Sequence, residues 1–152
     1  MGAMDDRLES RQAVLDAQTK AINAGDVPGI MDTFADDIVY KDAFLGQTWR
    51  GKRRIARGWT EWLAGVEQRT ESCTLAFTSG MNGVSEWVIG GHFRADVTNI
   101  APDLIFAKAT RHTWSDIHGV TVLGFDADNR ILSGIDYWDI MKMYRQLGIP
   151  LT

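Results

Sequence analysis

The chain has 152 residues, 45% of them hydrophobic and 24% charged, with a formal net charge of −4 and a pI near 5.3. That is the size and composition of one globular domain around a single core, with disorder expected only at the ends. The acidic balance gives no electrostatic footprint for nucleic acid, and no apolar run approaches the roughly 20 residues that a membrane-spanning helix needs.

The start "MGAM" carries two methionines three apart, so residues 1–3 read as vector-derived, ahead of a single domain over 4–152. A first helix runs through "DDRLESRQAVLDAQTKAINAGD", where Leu8, Leu15, Ala21 and Ile22 fall near one stripe and Gly25 supplies a stop. Asp26 caps a short second helix through Phe34, with Pro28 tolerated in its first turn. The segment "DDIVYKDAFLG" is extended and alternates Ile38, Tyr40 and Asp42 against Val39, Lys41 and Ala43. A third helix follows over 51–66, because Ile55, Trp59, Trp62, Leu63 and Val66 recur at helical spacing. The basic run "WRGKRRIAR" is local and lies in this helical pattern.

From there the period is two. Strands are expected over 71–80, 85–100, 106–125 and 130–138, separated by the turn clusters "GMNG", "APD" and "DADNR", and a helix "DIMKMYRQLG" closes the chain. Helices followed by a run of strands mean an α+β fold: a curved, mainly antiparallel sheet wrapped around the N-terminal helices. Glycines at 90, 91, 119, 124 and 134 mark bends, and a sheet curved over helices forms a conical pocket suited to a small molecule.

There is no phosphate loop, dinucleotide fingerprint, Gly-x-Ser-x-Gly elbow or His-Glu-x-x-His. The lone Cys73 excludes an intrachain disulfide and fits a reducing cytoplasm. In an unbroken strand His112, Trp114, Asp116 and His118 share a face, but their spacing is not a metal-ligand signature, and no metal is expected. The carboxylates are the stronger candidates. Asp42 shares a face with Tyr40, Asp96 shares one with Arg94, and Asp136 lies in the otherwise apolar "GIDYWD". Two acids whose environments push their pKa values apart can serve as general acid and general base in one pocket, while an exposed Arg94–Asp96 ion pair is the plain alternative.

The segments "NAGDVPGIMDTFADDIVYKD", "WRGKRRI", "HGVTVLGFDADNRI" and "DYWDIMKMYRQLGI" resemble the SnoaL-like families of the nuclear-transport-factor-two fold, along essentially the whole chain. The elements "YKD", "RAD" and "DYWD" are similar to the active-site pattern of limonene-epoxide hydrolases, except that Asp42 stands where that family has asparagine. The resemblance implies Asp136 as the base that deprotonates water with help from Tyr40, Asp96 as the acid that protonates the epoxide oxygen, and Arg94 as a bridge between the acids. Asp42 then either donates in a protonated form or acts as a base itself, as in SnoaL-like polyketide cyclases, where His118 is a candidate assistant.

The expected function is cofactor-independent opening of an epoxide, by hydrolysis or cyclisation, on a largely hydrophobic substrate with Trp59, Trp62, Trp114, Trp138 and His118 lining the pocket. A polyketide cyclase or isomerase, or a non-catalytic ligand-binding or dimerising module, are the alternatives. The resemblance also implies a homodimer.

Overall fold

The computed structural model describes residues 3–94 and 108–151. Its elements are α1 (Ala3–Ala24), α2 (Val27–Asp32), β1 (Phe34–Asp42), β2 (Gln47–Arg50), α3 (Lys52–Gly65), β3 (Val66–Ser79), β4 (Asn82–Phe93), β5 (Thr113–Phe125), β6 (Ile131–Trp138) and α4 (Ile140–Leu147). The fold is α+β, with a sheet in the order β2-β1-β6-β5-β4-β3. Every neighbouring pair is antiparallel except β1 and β6.

Local chemistry sets the helix ends. Gly25 takes φ 67° and donates its N–H to Ile22 O at 3.0 Å, so α1 closes in the left-handed turn that glycine adopts without steric cost. Asp26 Oδ1 then accepts the Gly29 N–H at 3.1 Å and caps α2, whose first turn holds Pro28. At the other end Asp139 caps α4 through Lys142 N at 3.0 Å, and Gly148 ends it at φ 68°.

The alternation over 36–46 does not continue as one strand. Asp42 Oδ1 accepts the N–H groups of Phe44 and Leu45 at 3.0 and 2.8 Å, turning the chain back as the short β2. Strand β3 begins at Val66, five residues before the expected start, because α3 passes into it with no intervening loop. Strand β5 begins at Thr113, and of the preceding residues 106 and 107 lie outside the described residues.

Curvature comes from bulges. The register of β3 on β4 shifts between Glu67 and Thr70 and again between Cys73 and Leu75, and that of β4 on β5 shifts between Ile89 and Gly91. The last shift corrects an expectation. Ile89 faces Ile117 and Gly91 faces Trp114, so β5 holds one extra residue there, with Asp116 at φ 54°. Trp114 and Ile117 therefore both turn inward, at 1% and 0% exposure, while Asp116 and His118 turn out. Gln146 of α4 satisfies the bulged backbone: its Oε1 accepts Ser115 N–H at 2.7 Å and its Nε2 donates to Ser115 O at 2.9 Å.

Two apolar clusters result. One joins Leu15, Ile30, Phe34, Ile38, Leu123 and Ile131; the other joins Val66, Phe93, Trp114, Ile117, Met143 and Leu147. No described helix is long and apolar enough to cross a membrane.

Candidate active site

Strand register lines up a polar row across the concave face. Gln47 pairs with Asp42, Asp42 with Asp136, Asp136 with Thr121, and Thr121 with Ser85, so these side chains project to one side from five consecutive strands. They line a cavity of about 340 Å³ roofed by α1 and α3. Its apolar walls come largely from Trp49, Trp59, Trp62, Trp87 and Trp138.

Asp136 is the centre of this row. Its Oδ1 accepts two hydroxyl bonds, from Tyr40 Oη and Thr121 Oγ1, each at 2.6 Å. Oδ2 accepts from no described residue, which leaves it for whatever occupies the cavity. Burial pushes the Asp136 carboxyl up to about 6; the Thr121 and Tyr40 bonds oppose the rise and the Asp42 charge adds to it. Desolvation first, then the Asp136 charge, holds the Tyr40 phenol well above its ordinary value, so it remains a donor at neutral pH.

Two glycines permit this geometry. Tyr40 pairs with Gly134, two residues before Asp136, and a Cβ at Gly134 would sit 2.5 Å from Tyr40 Cε2. The phenol thus lies over bare backbone to reach the acid. Trp87 does the same over Gly119, where a Cβ would come within 2.2 Å of its ring, and its Nε1 donates to Thr121 Oγ1 at 2.9 Å. Trp87, Thr121 and Asp136 form one directed chain, in which Thr121 takes the indole proton's bond and gives its own to the acid.

Asp42 has a different occupation from either role suggested by the pattern. Besides the two turn amides on Oδ1, its Oδ2 accepts Trp138 Nε1 at 2.8 Å. Three N–H donors meet two carboxylate oxygens where an asparagine would offer only one acceptor oxygen. Asp42 therefore holds both the β1–β2 turn and the Trp138 indole.

The remaining predicted residues separate. Tyr40, Asp42, Asp136, Trp59, Trp62 and Trp138 line the cavity. Trp114 instead packs in the second apolar cluster, with its ring centroid 5.6 Å from Trp62. His118 is on the outer face, its side chain 58% exposed and its Nε2 2.8 Å from Asp116 Oδ1, because the β5 bulge reverses the alternation. Arg94 is also away from the cavity wall: its side chain is 52% exposed and lies 3.5 Å from Glu67 Oε1. The expected bridge from Arg94 to Asp136 is not formed. Asp96 lies outside the described residues.

A different arginine–acid pair brings an acid into the cavity wall: Glu71 lines the cavity and Arg69 holds it. Arg69 Nη1 bonds Glu71, and Arg69 Nη2 donates to the carbonyls of Ile22 and Asn23 at 3.0 and 3.2 Å, pinning the end of α1 to β3. The Glu71 side chain is only 10% exposed. Burial pushes its carboxyl up to about 7 against the pull of Arg69, with the Asp136 charge adding to the rise. Glu71, Arg69, Thr121 and Trp87 escape sequence reading; mid-strand Gly119 and Gly134, each facing an aromatic residue, are the one signal that points to this floor. Among the described residues no group of three His, Cys, Asp or Glu side chains has the arrangement to hold a metal ion.

The family profile described as "SnoaL-like domain" matches residues 15–133. No curated protein sequence matches the chain significantly. Among solved structures, a candidate SnoaL-like polyketide cyclase from Shewanella denitrificans is similar, with TM-score 0.72 and 20% identity over 91% of this chain and 96% of that one. An LEH-like epoxide hydrolase from M. tuberculosis matches with TM-score 0.66 and 18% identity, over 92% and 90%. A protein with a ketosteroid isomerase-like fold from Catenulispora acidiphila matches with TM-score 0.68 and 23% identity, over 90% and 93%. At these identities the similarity is one of fold.

Proposed function

This chain belongs to the SnoaL-like family, and from that premise we propose that it is a cofactor-independent enzyme that moves a proton on a largely apolar small molecule, by isomerisation or ring closure. The observation that carries this reading is the Asp136 carboxyl, fixed at one oxygen by Tyr40 and Thr121 with the other oxygen left for the cavity. Raised to about 6, it is mostly ionised at neutral pH yet basic enough to accept a proton. Glu71, raised to about 7, is still about half protonated there and supplies the acid.

Asp136 removes a proton from carbon beside a carbonyl, and the electron pair of the broken C–H bond passes into the carbonyl as an enolate. In isomerisation, the proton of Glu71 goes to a different carbon of the conjugated system. In ring closure, the enolate carbon attacks a second carbonyl, whose oxygen takes that proton. The enzyme resets when Asp136 loses its proton and Glu71 regains one. Thr121, Trp87 and Arg69 act as positioning residues.

The test is deuterium incorporation into a panel of hydrophobic cyclic enones and diketones in heavy water, followed by NMR. Wild-type protein exchanges at carbon, and Asp136→Asn loses about a hundredfold to ten-thousandfold of the rate. Equal exchange by the two proteins refutes Asp136 as the base.

Epoxide opening is the second reading, supported by the Tyr40–Asp136 bond that its pattern requires. It assigns Arg94 to the reacting centre, so Arg94→Ala must then abolish conversion of cyclic epoxides to diols in heavy-oxygen water. Loss of only a half-exposed ion pair with Glu67 changes the rate by about fivefold at most.

A homodimer through the outer sheet face extends the proposal. Leu75, Phe77, Val122 and Tyr137 are exposed there, with Phe44 edge-on to Tyr137 at 6.3 Å.

A further inference from the structure

The hydrogen bonds of the cavity are unequally satisfied. Asp42 accepts from three N–H groups, Asp136 from two hydroxyls, and Glu71 pairs with Arg69. On the opposite wall, the half-buried Arg54 lines the cavity, and its Nη1 is itself buried and donates to no described residue. It belongs to the first turn of α3 and lies along the helix, 3.7 Å from where a Cβ of Gly58 would stand. Gln47, at the β2 end of the polar row, likewise has a buried Oε1 without a described partner. Turned over, the same amide would present N–H donors at that spot.

A guanidinium is always charged, and a buried charged N–H without an acceptor is costly to a fold. An unpartnered guanidinium N–H and an unpartnered amide group, on two elements that wall one cavity, mark the place where a ligand supplies the missing partners. The acceptor that best suits a cation surrounded by indole rings is an oxygen carrying negative charge. Asp136 rises from the sheet, while Arg54 reaches in from the helical layer.

We propose that Arg54, with Gln47 lining the same cavity, is the recognition point for an anionic oxygen of the substrate, so that the ligand is an apolar molecule bearing a carboxylate or an enolate-forming carbonyl. In the proton-transfer reading on which this substrate assignment rests, Arg54 holds the carbonyl oxygen as charge develops on it. The binding preference itself is measurable without turnover.

The experiment titrates the tryptophan fluorescence of the protein at about pH 8 with four probes: 1-naphthoate as a carboxylate, 4-nitro-1-naphthol as an ionised enol-like oxygen, 1-naphthylmethanol as the neutral counterpart, and 1-naphthylmethylammonium as the cation. Wild-type protein binds at least one of the two anions about ten- to hundredfold more tightly than the neutral probe. Preference for naphthoate identifies a carboxylate ligand, and preference for the nitronaphtholate identifies an enolate-like one. Arg54→Met removes the preference and leaves binding of 1-naphthylmethanol unchanged, while Arg54→Lys retains part of it. Gln47→Leu weakens the anion without affecting thermal unfolding. Anion preference undiminished in folded Arg54→Met overturns the proposal, as does equal or tighter binding of the neutral or cationic probe by the wild-type protein, or no binding of either anion. Asp136→Asn retains the preference even where it exchanges deuterium as fast as wild type, so failure of the base assignment is distinguishable from failure of the anion site.

Discussion

Replacing Asp136 with asparagine is expected to stabilise the protein at neutral pH while abolishing its chemistry. The folded state raises this carboxyl from an ordinary 3.8 to about 6. That difference corresponds to roughly 3 kcal/mol of penalty for holding the ionised form in the cavity wall. The figure is an upper one, since Oδ2 faces a cavity that water can enter. Asparagine keeps an acceptor for Tyr40 and Thr121 but loses the charge that strengthens both bonds, which costs about 1 kcal/mol. The net gain is then roughly 2 kcal/mol above pH 7, equivalent to about 4–8 °C in Tm for a chain of this size. The sign follows from linkage. A group with a raised folded pKa contributes stability fully below its unfolded value, here 3.8, and loses it as pH rises through about 6. Urea denaturation of both proteins from about pH 4 to pH 8 gives the difference curve: near zero or slightly unfavourable to Asp136→Asn at the acid end, favourable at the alkaline end. Glu71, raised to about 7, makes both proteins lose stability over a somewhat higher range and largely cancels in the difference. A difference that does not vary with pH, or a wild type that is the more stable protein at pH 8, refutes the reasoning.

Three further outcomes follow from the same geometry. The kcat/KM profile on an exchanging substrate is bell-shaped, rising through about 6 as Asp136 ionises and falling through about 7 as Glu71 does; a plateau extending to pH 9 removes Glu71 as the acid. Tyr40→Phe deletes a donor to the ionised acid, shifts the rising limb to higher pH and lowers kcat about ten- to hundredfold, and an unmoved limb shows that the phenol does not tune Asp136. Gly119→Ala puts a methyl 2.2 Å from the Trp87 ring, costs about 1–3 kcal/mol in denaturation and weakens activity through Thr121. The cost shrinks in the Trp87→Ala background, and strict additivity of the two substitutions contradicts the contact.

What the sequence makes legible is what depends on near neighbours. Gly25 with Asp26, and Asp139 with Gly148, are local punctuation, and they fix the ends of α1, α2 and α4. Tyr40 and Asp42 share a face by simple alternation, and both line the cavity with Asp136. What stays hidden depends on partners far along the chain. One extra residue in β5, held by Gln146 from α4, reverses the alternation and sends His118 outward while Trp114 goes into the core. The family-like Arg-x-Asp pattern points to Arg94, yet the arginine-held acid in the cavity wall is Glu71, paired with Arg69 at the start of a strand whose direct junction with α3 conceals it. Glycines 119 and 134 read as bends, but they also provide bare backbone beneath Trp87 and Tyr40.

The most direct test is a carbon-detected NMR titration of the aspartate carboxyl groups, with the Asp136 signal identified by its absence in Asp136→Asn. A midpoint near 6 is the result expected of a base held in an apolar cavity. A midpoint at the ordinary 3.8 would place Asp136 in a fully solvated environment and contradict its role as the proton acceptor.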